Sequence, residues 1–322
     1  MLNAKSQTTL GNQQVMQFDI GGGTKVWGLL YVPPADPANP TETFPLVIFN
    51  HGSGEIGSTQ ADLSKLIRWG TPWLISTGNK MEFIDPRTGV KRRFMSLALQ
   101  ASSWSPRISW TKYVTQNLLF KAPYRVDRNE VYVTGLSAGG DETLQYVTTD
   151  GYAQDIAATV PMSPAGGPFT NVVVPVALGI RSWGFAGTAG DNPYLGTLTD
   201  FTNSLNSAAP GYARMTTYNC GHGCWNDHYN PSYRETIDGK SMNIYEWMLY
   251  NAKLSLLAVD IISAVVQHFT DYDKISWSGK EDLTTDYYEV QVSEDGKAWN
   301  TVQTVQSHEE VGTFDYTINY SW

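Results

Sequence analysis

The pentapeptide Gly135-Leu136-Ser137-Ala138-Gly139 constrains the fold of this chain more than any other stretch. It follows the β-branched, aromatic run Val131-Tyr132-Val133-Thr134, which reads as a strand, and leads into Ala138 to Val147, which reads as a helix. When a strand turns into a helix within one residue the two backbones crowd each other, so glycine is needed on both sides and the serine between them is strained. The same turn lifts Oγ clear of the sheet. The pattern therefore predicts a serine nucleophile at position 137; the alternative, a helix that only begins with small residues, is disfavoured by the strand before it.

With 322 residues the chain can bury a full core without metal or disulfide staples and has room for one large domain and one small one. Gln14 to Ile20 and Lys25 to Val32 alternate as an antiparallel hairpin around Gly21-Gly22-Gly23. The continuous apolar run Phe44 to Asn50 suits a strand buried on both faces of a parallel sheet. Helical spacing in Ala61 to Trp69, a strand at Phe94 to Leu99 and an apolar helix face in Ile108 to Leu119 follow. Ser76 to Arg93 reads as a loop or β-excursion near the mouth of a site. Beyond residue 139 the pattern predicts strands at Ile156 to Met162, Val172 to Phe185 and Ala213 to Tyr218, with helices at Asp200 to Ser207 and Met242 to Ala252. Such alternation predicts a doubly wound, mostly parallel α/β sheet, with ligands at the carboxyl ends of its strands.

The composition shifts near Leu254. Ile275 to Gly279, Tyr287 to Ser293 and Asn300 to Val305 alternate at period two, with the turn Glu294-Asp295-Gly296-Lys297 between the last two. The expected boundaries are therefore 1–253 for the α/β domain and 254–322 for a small all-β, sandwich-like module. The module is shorter than the roughly 100 residues of a complete sandwich and is expected to lack its last strands.

A net charge of −9, with no basic run except Lys91-Arg92-Arg93, argues against a nucleic-acid or anionic-membrane partner, and no apolar run is long enough to span a bilayer. Eleven Trp, eighteen Tyr and eleven Phe leave room for aromatic stripes that bind sugars or aryl esters, although most such rings serve the core. Met1 to Gly11 lacks the n-region and h-region of a secretory signal, which fits either a cytosolic protein or an exported one whose leader is not in this sequence. The two cysteines, Cys220 and Cys224, bracket His222. Three readings are open: a small-loop disulfide that stiffens the histidine, two packed thiols, or a zinc cluster with His222 and His228, which would consume the best candidate base.

An exposed serine requires a base, and the base a group that orients it; a serine on such a turn resembles the nucleophile of the α/β-hydrolases, a resemblance that implies the chain order serine, then Asp or Glu, then histidine. Of five histidines, His51 lies in the loop after the third strand, where it is expected to brace that loop, and His268 and His308 fall in the β module. His222 emerges after the last core strand, between two glycines, and is the predicted base, with His228 as its rival. The segment Trp183 to Asp191 delivers Asp191 as the acid; Asp227 is the rival, and a capping role is the alternative for Asp191. The oxyanion is expected to meet the amides of Ala138 and Ser53, with Gly52 as second choice for the latter. Trp104 and Trp183 are candidates to line an acyl or alcohol pocket, equally readable as packing, and Trp225 is expected to pin the histidine loop. Glu55 and Asp141-Glu142 sit on different elements and read as structural rather than as a carboxylate pair. Nothing in this chemistry requires a metal or organic cofactor.

Three separated segments carry a resemblance: His51-Gly52-Ser53-Gly54-Glu55, the run Tyr124 to Gly140, and Gly221-His222-Gly223-Cys224-Trp225 followed by Ile244 to Leu249. Over roughly residues 12 to 252 the chain resembles the α/β-hydrolase superfamily. More closely it is similar to the branch of secreted esterases also described as predicted peptidases, akin to poly(hydroxyalkanoate) depolymerase, feruloyl and acetylxylan esterase types. The resemblance implies a Ser137, Asp191 and His222 triad in a serine carboxylesterase that works through an acyl-enzyme on short-acyl, polysaccharide-linked or polyester substrates. It departs from its relatives at Leu99-Gln100 and Ala186-Gly187, which bear on the acyl pocket rather than the triad. Trp277-Ser278 and Ser293 to Trp299 resemble fibronectin type III-like modules, which favours a secreted or periplasmic setting. A serine peptidase of the same fold and a non-catalytic glycan-binding or adhesion protein are the alternatives.

Overall fold

Every residue of Phe44–Asn50 (β4) is buried, because its two faces meet different cores: Val47 and Phe49 pack into one, Leu46 and Ile48 into the other. The computed structural model describes residues 8–103, 107–166, 169, 171–253, 260–281, 287–308 and 312–321. Contacts divide the chain into two units, Met1–Lys253 and Leu254–Trp322.

In the first unit β1 (Thr9–Leu10), β2 (Gln13–Asp19) and β3 (Lys25–Tyr31) precede β4. After β4 come α1 (Gly70–Ser76), a hairpin of β5 (Glu82–Ile84) and β6 (Lys91–Arg93), β7 (Met95–Leu99), α2 (Ile108–Val114), β8 (Val126–Leu136) and α3 (Ala138–Thr148). They are followed by β9 (Ala158–Met162), α4 (Val173–Ala177), β10 (Arg181–Gly187), α5 (Asn192–Ala208), β11 (Ala213–Tyr218), α6 (Trp225–Tyr229), a hairpin of β12 (Glu235–Ile237) and β13 (Lys240–Met242), and α7 (Ile244–Tyr250). One sheet runs in the order β1-β2-β3-β7-β4-β8-β9-β10-β11. It is antiparallel from β1 to β7 and parallel from β7 onward. Helices α1, α6 and α7 cover one face, through Ile75, Tyr229 and Met248; α2, α3 and α5 cover the other, through Val114, Leu144 and Phe201. This is the doubly wound, mostly parallel α/β architecture that the alternation predicts.

The differences from the sequence reading have local causes. Val172 to Phe185 is not one strand: Val173–Ala177 is helical, and Gly179, at φ 70°, turns the chain before β10 starts at Arg181. The β-branched valines suggested a strand, but Pro175 cannot donate to a ladder and the glycine ends the turn. Gln60–Arg68 is a 3₁₀ helix whose side-chain pattern passes for an α-helix, and α1 follows it unforeseen. Helix α5 begins at Asn192 rather than near residue 200, with a proline in its first turn. Asn243 starts α7 through a capping box, its Oδ1 accepting from the amides of Tyr245 and Glu246 at 3.0 Å each while the Glu246 carboxylate accepts from the Asn243 amide at 3.3 Å.

The second unit contains β14 (Asp260–His268), β15 (Asp273–Glu281), β16 (Tyr287–Val292), β17 (Asn300–Gln306) and β18 (Gly312–Tyr320), arranged as an antiparallel β14-β15-β18 sheet and a β16-β17 pair. Trp277, Tyr288, Tyr316 and Ile318 form its core, with the Trp277 and Tyr316 rings stacked at 5.2 Å. Among the described residues no helix is long and apolar enough to cross a bilayer.

β4 and α3 approach each other very closely: a Cβ at Gly139 would stand 2.0 Å from the Asn50 carbonyl oxygen, a backbone atom that cannot swing aside. Gly139→Ala is expected to destabilise the protein by about 1–3 kcal/mol in urea unfolding. A wild-type midpoint would mean that β4 and α3 can separate at no cost.

Candidate active site

Leu136 is the last residue of β8 and Ala138 the first of α3, so Ser137 alone makes the turn, at φ 53° and ψ −121°. Holding a non-glycine residue there costs about 1–3 kcal/mol. The conformation is held from outside: the Ser137 amide donates to the Met162 carbonyl at 2.9 Å and its carbonyl accepts from the Ala165 amide at 3.2 Å. Flanking side chains have no room, since a Cβ at Gly135 would lie 2.3 Å from the Gly139 oxygen.

The turn faces His222. Ser137 Oγ lies 2.8 Å from His222 Nε2, and His222 Nδ1 lies 2.7 Å from Asp191 Oδ1. A carboxylate accepts only, so the imidazole proton sits on Nδ1 and Nε2 is free to accept from the hydroxyl. Asp191 is fully buried at the start of α5. Its second oxygen accepts from Ser163 Oγ at 2.7 Å and from the Gly187 amide at 3.2 Å, so both sides of the carboxylate are satisfied. Trp225 Nε1 donates to Ser163 Oγ at 3.2 Å, and the Trp225 ring stands perpendicular to the His222 ring at 4.9 Å. Tyr194 stacks on the imidazole at 3.8 Å. Cys220 and Cys224 form a disulfide around this histidine, which leaves no thiolate for the zinc reading.

The rivals stand apart from this chain of contacts. His228 is buried on α6 among Phe185, Tyr218 and Tyr233, its Nδ1 3.3 Å from the Cys224 carbonyl, and burial lowers its pKa. Asp227 lies on the same short helix. Trp183 is fully buried in the core with its indole donating to Thr216 Oγ1 at 2.9 Å, packed on Phe185 and Trp247, and does not line the cleft. Its position on β10 turns it inward, as for most tryptophans of strands covered on both faces. Trp104 lies outside the described residues. A cleft of about 610 Å³ opens over Ser137 and His222, with Gly52, Ser53, Trp69, Tyr194 and Trp225 in its wall. Of these, Trp69 and Tyr194 escaped the sequence reading, as did Ser163; no local pattern marks a residue that acts only through a neighbour distant in sequence.

His51 braces the loop that carries Ser53. Ala101 donates its amide to His51 Nε2 at 3.0 Å, which places the ring proton on Nδ1, 2.6 Å from the Gly52 carbonyl. Burial, reinforced by the Arg107 guanidinium, holds the His51 pKa well below its ordinary 6.5. The ring therefore stays neutral as the unfolded chain begins to take up a proton. Because the unfolded state binds more protons below pH 6.5, stability falls as the pH drops through that value, at up to about 1.4 kcal/mol per unit from this one group. Urea unfolding between pH 5 and 8 is expected to show a shallower pH slope for His51→Gln than for the wild type; equal slopes would place the His51 proton uptake in both states alike.

No protein-family model and no curated protein sequence matches the chain. Solved structures do. A thermostable esterase is similar at 22% identity and a TM-score of 0.53, over 75% of this chain and 63% of that one, so the chain spans less than two thirds of that esterase's length. A substrate-bound fluorophosphonate-binding serine hydrolase of Staphylococcus aureus gives 12% identity and a TM-score of 0.49 over 74% of this chain and 98% of the other. An S-formylglutathione hydrolase from the same organism gives 12% and 0.49 over 74% and 96%. Together with the sheet order, the likeness to the thermostable esterase makes the fold that of the α/β-hydrolases.

Proposed function

We propose that the protein is a serine carboxylesterase. The observation that carries this reading is the contact chain from Ser137 Oγ to His222 Nε2 at 2.8 Å and from His222 Nδ1 to Asp191 at 2.7 Å, at the floor of an open cleft. Ser137 Oγ attacks the ester carbonyl carbon as its proton passes to His222 Nε2, and the carbonyl π electrons move onto oxygen. The amides of Ser53 and Ala138 receive that oxyanion; among the described residues neither donates to a protein acceptor. The oxyanion collapses, the alkoxide leaves with the proton from His222, and water repeats the sequence to release the acid. Asp191 holds the imidazole tautomer throughout.

The disulfide beside His222 supports an oxidising compartment, secreted or periplasmic. The substrate is a small-molecule or polymeric ester, and Leu254–Trp322, with its two small antiparallel sheets, is read as a fibronectin type III-like module.

Hydrolysis of p-nitrophenyl acetate tests the reading. Ser137→Ala is expected to lower kcat by on the order of 10⁴-fold or more with the fold intact; equal rates in wild type and variant would remove Ser137 from the chemistry. Reduction of Cys220–Cys224, or its Ser/Ser replacement, is expected to lower kcat severalfold through a looser His222 loop, by a margin larger than the loss of folded protein. An unchanged kcat in the reduced protein would make the disulfide irrelevant to His222.

A further inference from the structure

The two amides proposed to receive the oxyanion belong to elements far apart in the chain. Ser53 lies in the loop after β4, and Ala138 opens α3. A pocket of about 120 Å³ is lined by Gly52 and Ser53 of the loop and by Ala138 and Glu142 of the helix, so side-chain packing does not fill the space between them. One buried residue joins the two sides. Arg107 donates its backbone amide to Glu142 Oε1 and its Nε to Glu142 Oε2, each at 2.7 Å, and its Nη2 to the His51 carbonyl at 3.0 Å. Glu142 belongs to α3 and His51 begins the loop.

We infer that Arg107 is a positioning residue that sets the separation of the Ser53 and Ala138 amides by clamping the loop to the nucleophile's own helix. The inference rests on the ester-hydrolysis reading. A guanidinium suits the task because its planar fork engages a carboxylate edge and a carbonyl at fixed angles, which a flexible ammonium cannot reproduce. Stability alone is a poor explanation. Buried ion pairs contribute little net stability, and here burial raises the Glu142 pKa although Arg107 opposes the shift. In addition, Arg107 Nη1 is buried with no acceptor among the described residues. A pair kept under those conditions has geometric work to do. His51 supplies the complementary brace, tying the same loop through Gly52 to Ala101 beyond β7, so the loop is held from two directions.

The test uses the full chain with p-nitrophenyl acetate, a fluorophosphonate label for the nucleophile, and an aryl trifluoromethyl ketone whose serine adduct carries an oxyanion. A wild-type protein that neither turns over nor takes the label would sink the ester reading itself. With an active wild type, Arg107→Met is expected to lower kcat/KM roughly 10- to 100-fold, chiefly in kcat, and to weaken the ketone by the same factor while near-UV circular dichroism stays native. Arg107→Lys should recover only part of the loss, and added guanidinium ion at millimolar concentration should raise the rate of Arg107→Met but not of the wild type. Wild-type kcat/KM in Arg107→Met, or a loss that tracks the unfolded fraction and leaves ketone affinity unmoved, overturns the inference. Should Arg107→Met fail to fold, Glu142→Gln keeps the shape and is expected to show the same paired loss; unchanged ketone affinity there also overturns it.

Discussion

Everything at the site depends on how closely the first turn of α3 approaches the end of β4. Gly139 rests on the Asn50 carbonyl where a methyl group would overlap it, and Gly140 meets the Met162 carbonyl almost as tightly, 2.6 Å from where a Cβ would sit. That contact leaves Ser137 no relaxed conformation and fixes the helix against two neighbouring strands at once. A strained residue persists only when its surroundings determine it more strongly than its own preferences, and here the surroundings are parallel strands whose carbonyls face a glycine-rich helix start.

Outward from Ser137 the organisation is polar and continuous. The imidazole of His222 is held by the Asp191 carboxylate at one edge, Tyr194 on its face and Trp225 across it, and Asp191 in turn is held by Ser163 and a backbone amide. A buried carboxylate with every oxygen occupied is far less costly than one left bare, which accounts for Ser163 donating to Asp191 while Trp225 in turn donates to Ser163. The loop bearing Ser53 shows the same economy: a neutral histidine with its tautomer set by a strand-end amide, and a guanidinium shared between loop and helix.

Much of this was legible in the letters. The all-buried β4 showed as an unbroken apolar run, the tight turn at Ser137 as two glycines around a serine, and the side chains that meet in the contact chain of Ser137, His222 and Asp191 as an aspartate and a histidine following in order after strand-like segments. What was not legible shares a cause. Val172 to Phe185 looked like a strand because valine favours one, yet a proline and a left-handed glycine governed it; Trp183 looked like a pocket residue because of its place near Asp191, yet which face of β10 it occupies depends on what covers that face. Arg107, Ser163 and Tyr194 bear no motif at all, since their partners are His51, Glu142, Asp191 and His222, none adjacent to them in the chain.

The sequence by itself determined which backbones can come close and which segments alternate, because glycine, proline and apolar period act within a few residues. Tertiary structure alone decided how Ser163, Trp225 and Arg107 complete the hydrogen bonds of their neighbours, whether Cys220 and Cys224 joined, and which aromatic rings faced the cleft. Those choices depend on distances between strands and loops that meet only after the sheet has formed, and no local preference encodes them.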